Sequence, residues 1–340
     1  MNLKKAYDIT LIGASPLSII EAVNQNKNGK SVLIIEKSSN IGGSWSVLNL
    51  FGYENVENAI HYFLPSEPAI KFLKEKLKLD IEEVTQKFKI FHLPIFGLIT
   101  VKNKSFLSFF LGKESLKDFL KKKNSFYLKK GSFDLISASK ALLDNSNVQI
   151  IKNCEINRIN FLKDHVNIET SDKNKSFKSS KIIFTNSSRL NSLYIKSDKI
   201  KINEKIQLRP SLHLLVNDDK IISPRELIFI NDDTIKYIHN VTRFTSKIKK
   251  SHILLIIALK HDTKNSKELY DKILKKLKHA KIFSTKAEII NSKWTDVILP
   301  RLFDEDLREL NKLIGDRLIT LRTENFTRAI ELNLKRWTKI

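Results

Sequence analysis

The chain has 340 residues, of which 41% are hydrophobic and 29% charged, a balance that excludes a disordered chain and suits about two packed domains. Its formal net charge of +23 is carried mostly by lysine scattered through every segment. Taken alone, that charge suggests a polyanion partner such as nucleic acid, an acidic lipid surface or a phosphorylated substrate; with no Arg-rich stripe and no recognisable module, nucleic acid is not expected, and the excess charge helps an anionic ligand to arrive.

Tyr7 to Ile12 is a short apolar run ending at Gly13, with the length of a buried strand. Pro16 suits a first helical turn, and Leu17, Ile19, Ile20, Ala22 and Val23 give the helix an apolar face up to a break at Asn28-Gly29. Ser31 to Ile35 reads as a second buried strand, closed by Glu36. Strand, tight turn, helix and strand within about 30 residues make a βαβ unit. Beyond a loop with Gly42-Gly43, Pro68 to Leu79 reads as an amphipathic helix. Phe88 to Leu111 is expected to form strands around a turn at Pro94 and Gly97, and Leu116 to Lys122 a short basic helix. Gly131 opens a new block. It holds a helix from Phe133 to Leu143, a strand from Val148 to Ile151, a hairpin of Ile156 to Leu162 with Val166 to Thr170, and a buried strand from Lys181 to Thr185. Further strands are expected at Leu212–Val216, Leu227–Ile230 and Ile253–Leu259, then a helix from Lys267 to Leu277, a strand from Arg317 to Leu321 and a helix from Phe326 to Trp337.

Cys154 is the only cysteine, which excludes an intrachain disulfide and a Cys-based metal site. The histidines show neither HExxH nor a close His/Cys cluster, so no metal is expected. No uninterrupted apolar run reaches the ~18 residues of a membrane span, and no signal-peptide stretch precedes the first strand. A reducing cytoplasmic setting is the expectation.

The turn after the first strand reads Gly13-Ala14-Ser15-Pro16-Leu17-Ser18. The dinucleotide fingerprint puts glycine first, third and sixth: for the tight turn, for approach of backbone to pyrophosphate, and for helix–strand packing. Only Gly13 is kept. Ser15 and Ser18 add a Cβ but keep their backbone N–H groups, and the helix N-terminus still favours a phosphate. Glu36 follows about 20 residues on, where an acid accepts hydrogen bonds from a ribose 2′-OH and disfavours a 2′-phosphate.

From Glu36 onward the chain resembles the flavin-dependent amine oxidase and protoporphyrinogen oxidase superfamily, which includes UDP-galactopyranose mutase. Glu36-Lys37-Ser38-Ser39-Asn40-Ile41-Gly42-Gly43-Ser44 is similar to its acid, spacer and Gly-Gly contact to FAD. Glu57-Asn58-Ala59-Ile60-His61 is similar to its acid-x-Gly-x-His stretch near the flavin, with Ala59 in place of Gly. Tyr127 to Gly131-Ser132-Phe133 resembles its Gly-rich approach to a helix. Glu155-Ile156-Asn157-Arg158-Ile159 resembles the strand whose backbone meets the adenine, which gives that contact to Ile156. The family ends with a strand, Gly-Asp and a helix; here Thr323-Glu324 follows the last strand, so Glu324 takes the acid's place.

The resemblance implies an α/β fold: a FAD-binding Rossmann-like domain, doubly wound and mostly parallel, with an interleaved mixed α+β substrate domain. The first is expected from residues 1–65, 130–200 and 305–340, the second from 66–129 and 201–304. It implies FAD as cofactor, a small-molecule substrate and hydride transfer to flavin. A sugar-nucleotide mutase-like isomerase and a binding protein that has lost turnover are the alternatives. His61 is the candidate catalytic residue, with a structural role equally open. Arg209, Arg243 and Arg301 are candidates for an anionic substrate, against a surface role for each.

Overall fold

The computed structural model describes residues 6–340, except 60, 86–88, 93–96, 101–123, 173–174, 186–192, 197, 201–203, 219–226, 231, 246, 261–262, 281, 303, 322–325 and 338–339. The opening unit is present as β1 (Ala6–Ile12), α1 (Pro16–Lys27) and β2 (Val32–Ile35). A single 3-10 turn at Gly43–Trp45 leads to a hairpin of β3 (Val47–Leu50) and β4 (Tyr53–Glu57), then α2 (Glu67–Glu75). Next come β5 (Ile81–Thr85), β6 (Lys89–His92), β7 (Gly97–Thr100), β8 (Asn124–Leu128) and α3 (Ser132–Asp144). The middle of the chain supplies β9 (Gln149–Ile151), β10 (Ile156–Phe161), β11 (Val166–Thr170), β12 (Ser176–Thr185), β13 (Leu193–Ile195) and β14 (Asp198–Lys199). Then follow β15 (Glu204–Asn217), β16 (Leu227–Ile230), β17 (Ile235–Asn240), β18 (His252–Leu259), α4 (Lys267–His279) and β19 (Glu288–Leu302). The chain closes with α5 (Asp304–Ile314), β20 (Leu318–Leu321) and α6 (Phe326–Asn333).

Two large sheets organise these elements. The first runs β14-β13-β10-β11-β12-β1-β2-β9, with β20 beside β12. Its centre, β20-β12-β1-β2-β9, is parallel. Such strands are covered on both faces, which is why they read as unbroken apolar runs. In β2, Val32 and Ile34 enter one core with Leu143, while Leu33 and Ile35 enter the opposite one with Leu310 and Ile314. The register sets Ile12 beside Ile35 and Phe184, and Thr185 beside Leu321. The carboxyl ends of four parallel strands thus share one edge, where open α/β sheets bind ligands.

The second sheet runs β19-β15-β18-β17-β16-β6-β7 and is mostly antiparallel. Its strands alternate with period two. Leu214, Leu255 and Ile257 pack under Ile273 and Leu277 of α4; Leu215, Leu254 and Ile256 face Val56, Tyr127 and Phe244 on the other side. That second face meets β4 and β8.

Several expected boundaries move. The helix expected to Leu79 stops at Glu75, because Lys78 takes a left-handed φ of 54° and turns Leu77 and Leu79 back into the core. The last helix stops at Asn333, whose side chain donates to the Ala329 carbonyl, 2.7 Å away. The strand expected from Lys181 begins at Ser176 and makes β10–β12 a three-stranded meander. The turn and strands expected from Phe88 appear as the hairpin β6–β7; residues 101–111 and the helix expected at Leu116 to Lys122 lie outside the described residues. The hairpin β3–β4, the pair β5–β8, β19 and α5 had no counterpart in the expected elements. The apolar spacing Leu307, Leu310, Ile314 is the helical signal for α5.

Among the described residues no helix is long and apolar enough to cross a membrane.

Candidate functional site

Gly13 ends β1 with a φ of 85°, a left-handed value that glycine takes without a Cβ clash. Its N–H donates to the Ile35 carbonyl at 2.9 Å. Ala14 is fully buried, and its N–H donates to Glu36 Oε2 at 2.7 Å. The other carboxylate oxygen, Oε1, accepts the Ser38 N–H at 2.7 Å. Each oxygen has two lone pairs, so Glu36 retains acceptor capacity beyond these bonds. Ser15 is the N-cap of α1: its Oγ accepts the Ser18 N–H at 3.3 Å and lies 2.9 Å from Ser18 Oγ. Pro16, at the first helical position, has no N–H, so Leu17 presents the N–H of that turn.

The Gly-Gly loop docks on this turn. Gly42 donates its N–H to the Ala14 carbonyl at 2.9 Å. Gly42 and Gly43 have φ of 120° and 58°. A Cβ on Gly42 would come within 3.2 Å of Ile136 Cδ1 and 3.3 Å of Ser46 Cα, closer than nearly all real contacts. A Cβ on Gly43 would point at Ser15 Cβ, 3.7 Å away. The second block arrives through Cys154, whose N–H donates to the Glu36 carbonyl at 3.0 Å. Lys37 and Glu155 pair at 2.6 Å across an exposed face, and half-buried Ile156 starts β10 directly afterwards. Gly13 to Ser18, Glu36, Lys37, Gly42, Gly43 and Ile156 are therefore gathered at the carboxyl edge of the parallel sheet. Glu324 lies outside the described residues; β20, before it, ends at the same edge.

Beside this cradle is a cluster around Glu57, which ends β4 and is buried. Ser132, first in α3, donates its N–H to Glu57 Oε1 and its hydroxyl to Oε2, 2.7 Å away. His61 Nδ1 is 2.7 Å from Oε2 and 2.8 Å from Ser132 Oγ. Its Nε2 is 2.9 Å from the Ser44 carbonyl, and the ring stacks on Trp45 with centroids 4.3 Å apart. Both ring nitrogens are thus engaged by the protein. Burial opposes the charge of Glu57, but the hydrogen bond and charge of His61, with the Ser132 N–H and hydroxyl, hold its carboxyl below the usual value. A carboxylate at the N-terminus of α3 is also favoured by the helix dipole. Gly131, with φ 73°, leaves the room this requires: a Cβ there would collide with Glu57 Oε1.

The second sheet adds buried histidines. His213 Nε2 is 3.0 Å from the Glu57 carbonyl, and the His239 ring packs against both Tyr127 and Phe244, which also contact each other. Burial pushes both imidazoles down to about 4, against the hydrogen bond to the Glu57 carbonyl for His213 and the charge of Glu57 for His239. In the sequence Glu57, Ser132 and His239 fall within family-like stretches without a role of their own, and Trp45 and His213 carry no signal. The glycine at 131, just before Ser132, is the sequence signal for this close approach.

Of the three candidate arginines, Arg243 is engaged by an acid of its own. Arg243 pairs with Glu82 at 2.7 Å and covers the Phe244 ring at 4.5 Å. Arg209 is half-buried on β15, and the Arg301 side chain lies outside the description. Among the described residues no three His, Cys, Asp or Glu side chains form a metal-binding group.

No protein-family model and no curated protein matches the sequence. Solved structures match the fold along nearly the whole chain. A cofactor-site variant of putrescine oxidase superposes with a TM-score of 0.72 at 11% identity, over 98% of both chains. Reduced UDP-galactopyranose mutase gives 0.70 at 10% identity, over 93% of this chain and 89% of that one. A protoporphyrinogen oxidase-like protein from Exiguobacterium gives 0.67 at 8% identity, over 98% of this chain and 100% of that one. The chain therefore has the FAD-binding Rossmann-like α/β fold. Within that class, it is similar to the flavin amine oxidase-like proteins that its sequence motifs resemble.

Proposed function

We propose that this chain is a FAD-dependent oxidoreductase of the amine oxidase-like kind, acting on a small-molecule substrate. One observation carries the reading: Ala14 is bonded at once to Glu36 and to Gly42, which joins three separate fingerprint stretches into a single cradle. The residues fit the group. A Cβ at Gly43 would fill the space facing Ser15, where a pyrophosphate passing the start of α1 needs room.

In this reading the Gly13–Ser18 turn faces the diphosphate, with the Leu17 N–H and the dipole of α1 toward it. Glu36 uses its remaining lone pairs for the ribose hydroxyls. Gly42, Gly43 and Ser44 cover the diphosphate from the opposite side, Ile156 offers its backbone to the adenine, and the sequence resemblance gives Glu324 the place of the family's acid by the ribityl chain. Lys37, bonded to Glu155, holds the Ile156 strand beside the site. His61 fixes the Ser44 carbonyl and the Glu57 carboxylate, so we assign it a positioning role in place of a substrate acid or base. When bound, FAD supplies a two-electron acceptor for a hydride from the substrate.

The test is a visible spectrum of the purified protein with calorimetric titration of apoprotein by FAD, NAD and NADP. A flavin band and a preference for FAD are expected. Preference for NAD, or no uptake of any dinucleotide, would overturn the reading; the second result would leave a binding protein that has lost turnover. A second reading, flavin-dependent isomerisation with no net redox, draws on the similarity to UDP-galactopyranose mutase and on a net charge of +23 suited to a diphosphate substrate. Incubating the reduced protein with sugar nucleotides separates the two.

A further inference from the structure

Glu21 lies on the buried side of α1, and the cradle does not use it. Its exposure is 0%. A carboxylate survives such burial only where donors replace water. Here Oε1 accepts from Arg336 Nη2 at 2.9 Å and from Gln25 Nε2 at 2.8 Å, and Oε2 accepts from Trp337 Nε1 at 2.6 Å. Asn24, the neighbour of Gln25 on α1, donates its Nδ2 to the Arg336 carbonyl at 3.0 Å. Arg336 and Trp337 lie three and four residues beyond Asn333, the last residue of α6, so one side chain ties this terminal stretch to the helix that starts at the Gly13–Ser18 turn.

The other end of α6 reaches the cradle. Phe326, its first residue, packs against Trp45 with centroids 4.7 Å apart and against Phe63 at 5.7 Å. Trp45 follows Gly42-Gly43-Ser44. Apolar contact alone already buries the terminal segment: Trp337 packs on Phe72 at 5.6 Å, and Ile340 joins the same core. An apolar side chain at position 21 would serve that packing as well or better. What the carboxylate adds is direction, since its three donors admit one seat for Arg336 and Trp337.

We propose that Glu21 is a positioning residue for the part of the cofactor beyond its diphosphate. By seating Arg336 and Trp337 it fixes α6, and with it the contact of Phe326 with Trp45, which closes the turn that begins at Gly43. This rests on the flavoprotein reading above. ADP contains only the half of FAD that Glu36 and the α1 turn address, so the latch acts on FAD and not on ADP.

The experiment titrates apoprotein of the parent, Glu21→Gln and Trp337→Phe with ADP and with FAD, and records thermal unfolding alongside. Trp337→Phe keeps an aromatic ring on Phe72 and removes one donor, so it reports even where Glu21→Gln folds poorly. FAD affinity is expected to fall on the order of tenfold in Glu21→Gln and less in Trp337→Phe, the scale of one hydrogen bond to a charged group, with ADP affinity unchanged. Unchanged FAD affinity in both variants, or equal losses for ADP and FAD, overturns the latch while leaving the flavoprotein reading intact. A parent that binds ADP but not FAD, or neither, overturns the flavoprotein reading and this assignment with it.

Discussion

Gly42 donates its N–H to the carbonyl of Ala14, and Ala14 donates its own N–H to Glu36. One peptide unit of the β1–α1 turn is therefore held from both sides by stretches that come later in the chain.

Gly43→Val should impair FAD binding as severely as Gly13→Val. Both positions have positive φ, at 58° and 85°, and a side chain at 43 points at the cap of α1. The left-handed backbone costs a non-glycine residue roughly 1–2 kcal/mol, and the branched side chain obstructs the diphosphate. Calorimetry on both variants checks this; near-parental affinity in Gly43→Val would remove the Gly-Gly loop from the site.

Glu36→Ala should weaken FAD binding and also lower stability. It leaves the Ala14 and Ser38 N–H groups without their acceptor, and the Ala14 group is buried. A buried unpaired donor costs roughly 1–3 kcal/mol. Chemical denaturation of the apoprotein measures the stability part and FAD titration the rest. An unchanged affinity would mean that Glu36 serves the turn alone.

Ser15→Gly should tighten FAD binding or leave it unchanged. The Ser15 hydroxyl holds the Ser18 N–H, and its side chain faces Gly43. Removing it frees a donor and opens space, at a loss of only a few tenths of a kcal/mol in capping, roughly. If affinity drops clearly, the Ser15 hydroxyl is itself a ligand.

Stability should fall as pH is lowered from about 6.5 toward 4. His213 and His239 have an ordinary value of 6.5 and are held at about 4 in the fold. Between those values the unfolded chain binds protons that the folded chain refuses, so acid favours unfolding there, by roughly 3 kcal/mol per histidine over the window. Glu57 continues the trend at lower pH: its carboxyl is depressed below 4.5, so its stabilisation, present above that value, is lost as acid protonates it in the fold. Urea titrations from pH 7 to pH 4 measure the slope. His213→Gln should flatten it; an unaltered slope would show that this histidine is not a buried neutral group.

Local pattern was enough where local pattern decides structure. The apolar run of β2 and the helical spacing of α1 are set by burial of each element's own side chains. Gly13 and Glu36 are bound to the βαβ unit by short-range geometry. β19 is the opposite case: Ser292, Lys293, Thr295 and Asp296 carry no apolar strand signal, and its identity comes from pairing with β15 from Glu204↔Leu302 to Asn217↔Glu288. Pairing with a distant strand satisfies its backbone whatever its side chains are.

The sequence by itself determined the β1–α1 turn, the acid that closes β2, the Gly-Gly loop and the βαβ unit that holds them. Only the tertiary structure decided that Glu57 is joined to Ser132, His61 to Ser44, and Glu21 to Arg336 and Trp337. The physical reason is that hydrogen bonds of buried carboxylates depend on which donors folding brings near. Glu57 and Ser132 are 75 residues apart and Glu21 and Trp337 are 316 apart, beyond any periodicity that a helix or strand imposes on its own residues.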